Sequence, residues 1–166
     1  MKQIKTLLLI AILAVGFNTV QAQTKVAHIS TDQLLSLMPE TKALNAELEK
    51  LSKTYESELK AEEAKLQAKL KKYDAEAASQ TDEVNQQRSV EVQQDQQKLY
   101  QSSQIAREEI TKKRNEKLKP ILEKAKKAIE EVASEQGYTY VLEASTLVIA
   151  NGTDLLDAVK AKLGIQ

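Results

Sequence analysis

The chain contains no cysteine and no tryptophan, and its single phenylalanine, Phe17, falls within the first 22 of its 166 residues. The absence of cysteine excludes a disulfide framework and a thiol nucleophile. Without tryptophan, and without phenylalanine after residue 22, the chain lacks two of the side chains that bury the most surface in ordinary globular cores. The protein must therefore have a small core, or a core that several chains share.

The residues that usually build catalytic sites are also scarce. The one histidine, His28, has no cysteine or second histidine with which to complete a metal site, so we interpret it as a structural residue of a strand. Glu62 and Glu63 lie in a lysine-rich helical segment with no predicted pocket. The segment "NGTD", residues 151–154, lacks the Gly-Lys-Ser/Thr ending of a phosphate loop. We therefore predict that the protein is not an enzyme, and we expect no catalytic residues, no metal and no cofactor.

Neither sign of charge is in excess, since the sequence has 24 basic and 24 acidic residues. A nucleic-acid-binding protein needs a basic surface to displace counterions from phosphates, so we expect no nucleic acid partner. The segment 40–120 is balanced as well, with 16 residues of each sign. Its one basic cluster, "KLKK" at 69–72, is interpreted as a solvated helix face.

The sequence begins with an export signal. Lys2 and Lys5 precede an unbroken apolar run at 7–17, and small Ala22 ends the segment. This layout is typical of a secretory signal peptide. As a membrane anchor, a run of this length would cover only about 16 Å of a hydrocarbon core about 30 Å thick. We therefore expect residues 1–22 to be a signal peptide, cleaved after about Ala22, and the protein to be exported.

Good helix formers dominate residues 40–120, which contain no glycine. Apolar residues recur there at spacings of three, four or seven, from Leu44 through Leu66, Leu70 and Tyr73 to Ala77, and again from Val84 to Val132. Such narrow stripes are typical of a coiled-coil seam. Two antiparallel helices could pack along these stripes.

The chain must then reverse, and the segment 77–84 is the most suitable place. Ser79 or Thr81 could cap a second helix whose first turn carries Asp82 and Glu83. Pro39 and Pro120 would lie opposite each other at the base of a hairpin about 60 Å long. One unbroken helix in a parallel dimer is the alternative, since heptads alone do not distinguish the two arrangements.

The two ends of the chain predict a small sheet, and the fold class is α+β. Residues 25–30, 138–145 and 146–150 are rich in β-branched or aromatic side chains and predict three strands, with Gly137 ending the helix before the second. Ser30 is predicted to cap a short helix, and Thr153 a last amphipathic helix. So small a sheet has exposed edges and marginal stability, so we predict an oligomer with the strands at its centre.

In this order of segments the chain resembles the Skp/OmpH family of periplasmic chaperones. The resemblance rests on "KVAHIST", "DQLLSLMPETKALNAEL", "KLKPILEKAKKAIEEVASEQGYTYVLEAS" and "TLVIANGTDLLDAVKAKL". It implies a jellyfish-like homotrimer whose small β-rich trimerisation body, residues 23–39 and 121–166, carries long antiparallel α-helical coiled-coil hairpins, residues 40–120. The residues it implies for the oligomer body are Val26, Ile29, Val141, Leu142, Leu147 and Ile149.

Family members hold unfolded outer-membrane proteins in the cavity between these arms, without ATP, in the periplasm. Here the glutamine-rich segment 81–101 has few apolar residues, which predicts an adaptable arm that opens at low cost. Leu59, Val90 and Tyr100 are our candidate client contacts. The neutral arm departs from basic relatives, which argues against contact with lipopolysaccharide or a membrane surface. The alternative function is a coiled-coil envelope spacer or adaptor that binds a folded partner.

Overall fold

A computed structural model describes residues 24–165. The predicted signal peptide lies outside the described residues. In chain order the elements are β1 (Val26–Ile29), α1 (Thr31–Leu37), α2 (Pro39–Glu76), α3 (Asp82–Glu135), β2 (Tyr140–Glu143), β3 (Thr153–Asp154) and α4 (Leu156–Leu163). The fold is α+β, mostly helical with one three-stranded sheet. Over residues 24–165, no helix is long and apolar enough to cross a membrane.

The two long helices run antiparallel and form the arm of the molecule. Helix α2 starts with Pro39 in its first turn, where a missing N–H costs nothing. The chain reverses through a 3₁₀ turn at Ala77–Ser79. The Thr81 hydroxyl then caps α3 by accepting a hydrogen bond from the Val84 amide at 3.4 Å. This reversal excludes one unbroken helix.

Helix α3 is longer than the arm and continues into the body of the protein. It passes through Pro120 without ending, although proline offers no N–H to the preceding turn. Beside it, the Lys124 ammonium pairs with the Glu40 carboxylate in the first turn of α2. Gly137, at φ +71°, terminates the helical region in the left-handed conformation that glycine adopts without strain.

The sheet is parallel, and β1 is its central strand. Strand β2 pairs with one edge of β1, placing Val26 beside Tyr140, and β3 pairs with the other edge, placing His28 beside Asp154. The prediction of a strand at 146–150 is wrong. β-propensity describes a fit to a neighbouring strand, and residues 147–150 have no such neighbour within the described chain.

The predicted cap of the last helix is also wrong. Thr153 belongs to β3, and α4 begins only at Leu156. Instead, the Asp154 carboxylate accepts a hydrogen bond at 2.8 Å from the Leu156 amide, at the start of α4. At the other short helix, Ser30 caps α1 as predicted, by accepting from the Gln33 amide at 3.3 Å.

The hydrophobic core lies where the inner face of the sheet meets the helices. Ala27 and Ile29 of β1 are buried there against α1, α3 and α4. The core extends a short way up the arm, to Leu44 and Leu48 of α2. Beyond Leu48, the next buried side chain among the described arm residues is Ala106, on the return helix. The outer half of the arm therefore stands outside the core.

Candidate functional site

The outer face of the sheet exposes apolar side chains. Successive residues of a strand point to opposite faces, so Val26, Tyr140 and Leu142 lie on the face opposite to the core. All three are exposed, Tyr140 to 59%. Contiguous apolar surface of this kind is typical of protein interaction sites.

The segment that follows β2 adds to this surface. Val148 is fully exposed and Ile149 is 74% exposed. The only backbone hydrogen bond found for residues 147–150 joins the Leu147 amide to the Ala144 carbonyl, at 3.1 Å. Strand β2 is the last strand on its side of the described sheet, so its outer edge is unpaired. An unpaired edge beside an apolar segment favours pairing with another chain.

The six predicted body residues fall into two groups. Val26, Leu142 and Ile149 are exposed and available to a partner. Ile29 is buried within its own chain, Val141 packs against that core, and Leu147 is half-buried. The prediction did not include Tyr140, which shares its face with Leu142, or Val148, which is exposed in the irregular segment after β2. Alternation along 140–143 was the available signal.

The three predicted client contacts do not form one site. Leu59 is half-buried between the two arm helices, whereas Val90 and Tyr100 are exposed to 48% and 64%. Ile105, which the prediction did not include, is exposed as well. These side chains are spread along the arm, which therefore presents separate apolar points rather than a pocket.

The seam between α2 and α3, meaning the residues of each helix that face the other, is polar in its outer half. Lys69 reaches across from α2 and binds the carboxylates of Glu91, at 2.7 Å, and Asp95. This corrects the interpretation of residues 69–72 as a solvated face at Lys69, whereas Lys71 and Lys72 are exposed as predicted. It also corrects the predicted stripe, because Leu70 turns outward and is exposed while Lys69 occupies the seam.

A second ion pair lies closer to the turn. Arg88 of α3 binds the Glu76 carboxylate at 2.7 Å, and its guanidinium lies 4.5 Å from the centre of the Tyr73 ring. The Tyr73 hydroxyl donates to Glu91 at 2.7 Å and so joins the two pairs. The outer seam is thus held by a connected polar network instead of apolar packing.

Hydrogen bonds within this network favour the charged forms of Lys69 and Glu91. The hydrogen bonds to Asp95 and Glu91 raise the pKa of Lys69. The hydrogen bonds from Lys69 and Tyr73 lower the pKa of Glu91, and the same bond to Glu91 raises the pKa of Tyr73. These shifts favour protonated Lys69 and ionised Glu91 at neutral pH, so the pairing between them is intact there.

Next to Lys69, the seam between α2 and α3 opens into a groove. Leu66 and Leu99 line it from the two helices, and Lys65, Lys98 and Glu62 form its rim. Its volume is about 470 Å³. The groove has room for one or a few side chains from another polypeptide, but nothing in it points to bond-making chemistry.

Comparison with known proteins gives the family. The model of the family described as "Outer membrane protein (OmpH-like)" matches residues 25–163, which span everything from β1 to the last helix. The chain belongs to the OmpH family. No curated protein matches this OmpH-family chain.

A solved structure shares the fold of this OmpH-family protein. It is an OmpH-like candidate outer membrane chaperone of Caulobacter crescentus CB15, with a TM-score of 0.75 and 22% sequence identity. The alignment covers 86% of this chain and 85% of that one. At this identity the likeness shows a common architecture of arm and body.

Proposed function

We propose that this protein is an ATP-independent periplasmic holdase chaperone. It encloses unfolded outer-membrane proteins in a cavity between helical arms and prevents their aggregation. Membership of the OmpH family supports a chaperone role, and the structural neighbour is itself described as a candidate outer membrane chaperone. The expected signal peptide supports a place in the periplasm.

The observation that carries this proposal is the arm without a core. Between Leu48 and Ala106 none of the described residues is buried, while Val90, Tyr100 and Ile105 point into solvent. A rigid stalk would need buried side chains along its whole seam. An arm with few buried contacts has a low local free energy of opening and can adapt to an irregular client.

Weak contacts also suit a cycle without an energy source. A precursor of an outer-membrane barrel exposes strands of alternating polarity that pair edge to edge with other chains. Scattered apolar points such as Val90 and Tyr100 hold such a chain only loosely. Because each contact is weak and exchangeable, the client can leave when a better partner for its strands is available.

The body supplies the oligomer in this proposal. Exposed Tyr140, Leu142 and Ile149 lie beside the unpaired edge of β2, so several copies can cover one another there. Three subunits, as the family resemblance implies, would place three arms around one cavity. The body then holds the subunits together, and the arms bind the client.

The decisive experiment measures aggregation. A urea-unfolded outer-membrane protein is diluted into buffer with the purified protein and without nucleotide, and light scattering is followed. A holdase keeps the client soluble near one oligomer per client. The control is the same client with an unrelated, stable coiled coil at equal mass. If scattering equals that of the control, the protein is a spacer or adaptor and the proposal is wrong.

A further inference from the structure

We infer that the outer half of the arm is closed by an ionic clasp, which sets the register of the two helices and governs their separation. The clasp consists of two carboxylate–cation groups that bridge α2 and α3. Its members are Lys69, Tyr73, Glu76, Arg88, Glu91 and Asp95.

The clasp residues of α3 include positions that face α2. In α3, Arg88, Val92, Asp95 and Leu99 recur at spacings of four and three, which is the pattern of seam positions. Two of those four positions thus carry charges. Their side chains are mostly shielded, Arg88 being only 18% and Asp95 26% exposed. Charged groups at seam positions reduce apolar packing but favour one alignment over others.

The charges of the clasp disfavour the neighbouring registers of the two helices. If α3 slipped by one heptad in one direction, Lys69 would face Arg88 in place of Asp95. If it slipped in the other direction, Lys69 would face Lys98 and Glu76 would face Asp95. Each slip therefore brings like charges together, whereas the observed register pairs opposite charges throughout.

The apolar packing around the clasp is weak. Leu66, Val92 and Leu99 are only partly buried beside the clasp, and Leu66 and Leu99 line an open groove of about 470 Å³ there. Separated helices without such packing are marginally stable in water. The ion pairs consequently decide whether this part of the arm is closed, and salt, which screens partly exposed pairs, weakens them.

The client role of the clasp rests on the proposed function. When the clasp opens, Leu66, Val92 and Leu99 become accessible from both sides of the seam. They match a client segment that alternates apolar and polar residues, because the charged rim of Lys65 and Lys98 surrounds an apolar floor. An opened arm therefore offers an unfolded outer-membrane protein more apolar surface than a closed one.

Hydrogen exchange of the purified protein tests the clasp directly. Raising KCl from about 0.02 M to about 1 M shortens the screening length to about 3 Å and is expected to speed exchange over 60–76 and 84–100 by about fivefold. Amides in 121–133 should not respond. Lys69→Ala should exchange fast already at low salt, whereas the matched control Lys53→Ala, which removes an exposed pair within α2, should leave the outer seam unchanged.

A variant whose outer arm is expected to stay closed, called the closed variant, provides a complementary test of the clasp. Lys69→Met with Asp95→Leu replaces the central pair by apolar side chains and should give slow exchange that responds less to salt than exchange in the wild type, because only the Arg88–Glu76 pair remains. Salt-independent exchange in the wild type, or equal exchange in Lys69→Ala and Lys53→Ala, would overturn the clasp.

Client capture is then measured separately. With urea-unfolded outer-membrane protein at low salt, the closed variant should suppress aggregation at least about threefold less efficiently than the wild type. Equal suppression by both proteins overturns the client role while the exchange data still decide the clasp. Failure of the wild type to suppress aggregation counts against the proposed function and leaves the exchange result intact.

Discussion

At the scale of single residues, Glu143 connects the sheet to the first helix. Its two carboxylate oxygens accept hydrogen bonds from the Thr31 amide, at 3.1 and 3.3 Å, in the first turn of α1. These bonds lower the pKa of Glu143 from its ordinary value of 4.5. An anion at this position also interacts favourably with the unsatisfied amides of a helix start.

We expect Glu143→Gln to lower the free energy of unfolding by about 1 kcal/mol at pH 7, because a neutral amide accepts this bond more weakly. A lowered pKa means that the carboxylate stabilises the fold above about pH 4.5 and that this contribution disappears as the pH falls through the folded-state pKa. The difference between variant and wild type should therefore shrink below pH 4.5. Urea denaturation at fixed protein concentration measures it, with the exposed Glu123→Gln as control. A difference that does not change with pH would contradict this account.

At the scale of elements, the arm joins a packed base to a loosely packed outer half. Leu48 is 6% exposed and belongs to the core cluster, whereas Leu70, on the same helix, is 40% exposed and turns away from the seam. We expect Leu48→Ala to cost about 3 kcal/mol and Leu70→Ala less than about 1 kcal/mol. Thermal and urea unfolding of both variants checks this prediction. Similar losses would show that the outer arm is packed as tightly as its base.

The sequence predicts elements that depend on nearby residues, and it fails for elements that depend on contacts with distant parts of the chain. Helices α2 and α3 follow from their helix-forming residues, and Thr81 marks the start of α3 because capping needs only the next turn. Propensity predicts a strand at 146–150, but propensity cannot tell whether a partner edge exists. Strand β3 has only two residues, and its pairing with β1 brings together parts of the chain too far apart for a local pattern to reveal.

The candidate site shows the same limit. Val90, Tyr100 and Leu59 could be selected only as apolar residues of the arm, and of these Val90 and Tyr100 are exposed whereas Leu59 is half-buried. Lys69 was assigned to solvent because most helical lysines are solvated. Its partner Asp95 lies on the other helix, so the pair becomes visible only when the antiparallel register is known. The available signal was a charge at the seam spacing between Leu66 and Tyr73.

At the scale of the whole molecule, the body is proposed to hold the subunits together and the arm is proposed to bind the client. The body must then associate through surface that one chain leaves uncovered. Val141 is a poor place to test this, because it packs against its own core and Val141→Asp would disturb the protomer as well as any interface. Val148 and Ile149 are better suited, since both are exposed in the single chain.

We expect Ile149→Asp to weaken association without unfolding the protomer, because the charge becomes buried and unpaired only in the oligomer. A penalty of about 3 kcal/mol per interface corresponds to an increase of about 100-fold in the dissociation constant. Sedimentation velocity over a range of concentrations measures this, and circular dichroism confirms that the helices remain. Ile105→Asp, on the exposed surface of α3, is the control.

Hydrogen exchange provides an independent check, because amides of 147–150 should be protected in the assembled wild type and exchange freely once Ile149→Asp separates the chains. Unchanged sedimentation together with fast exchange at 147–150 in the wild type would place the interface elsewhere on the body.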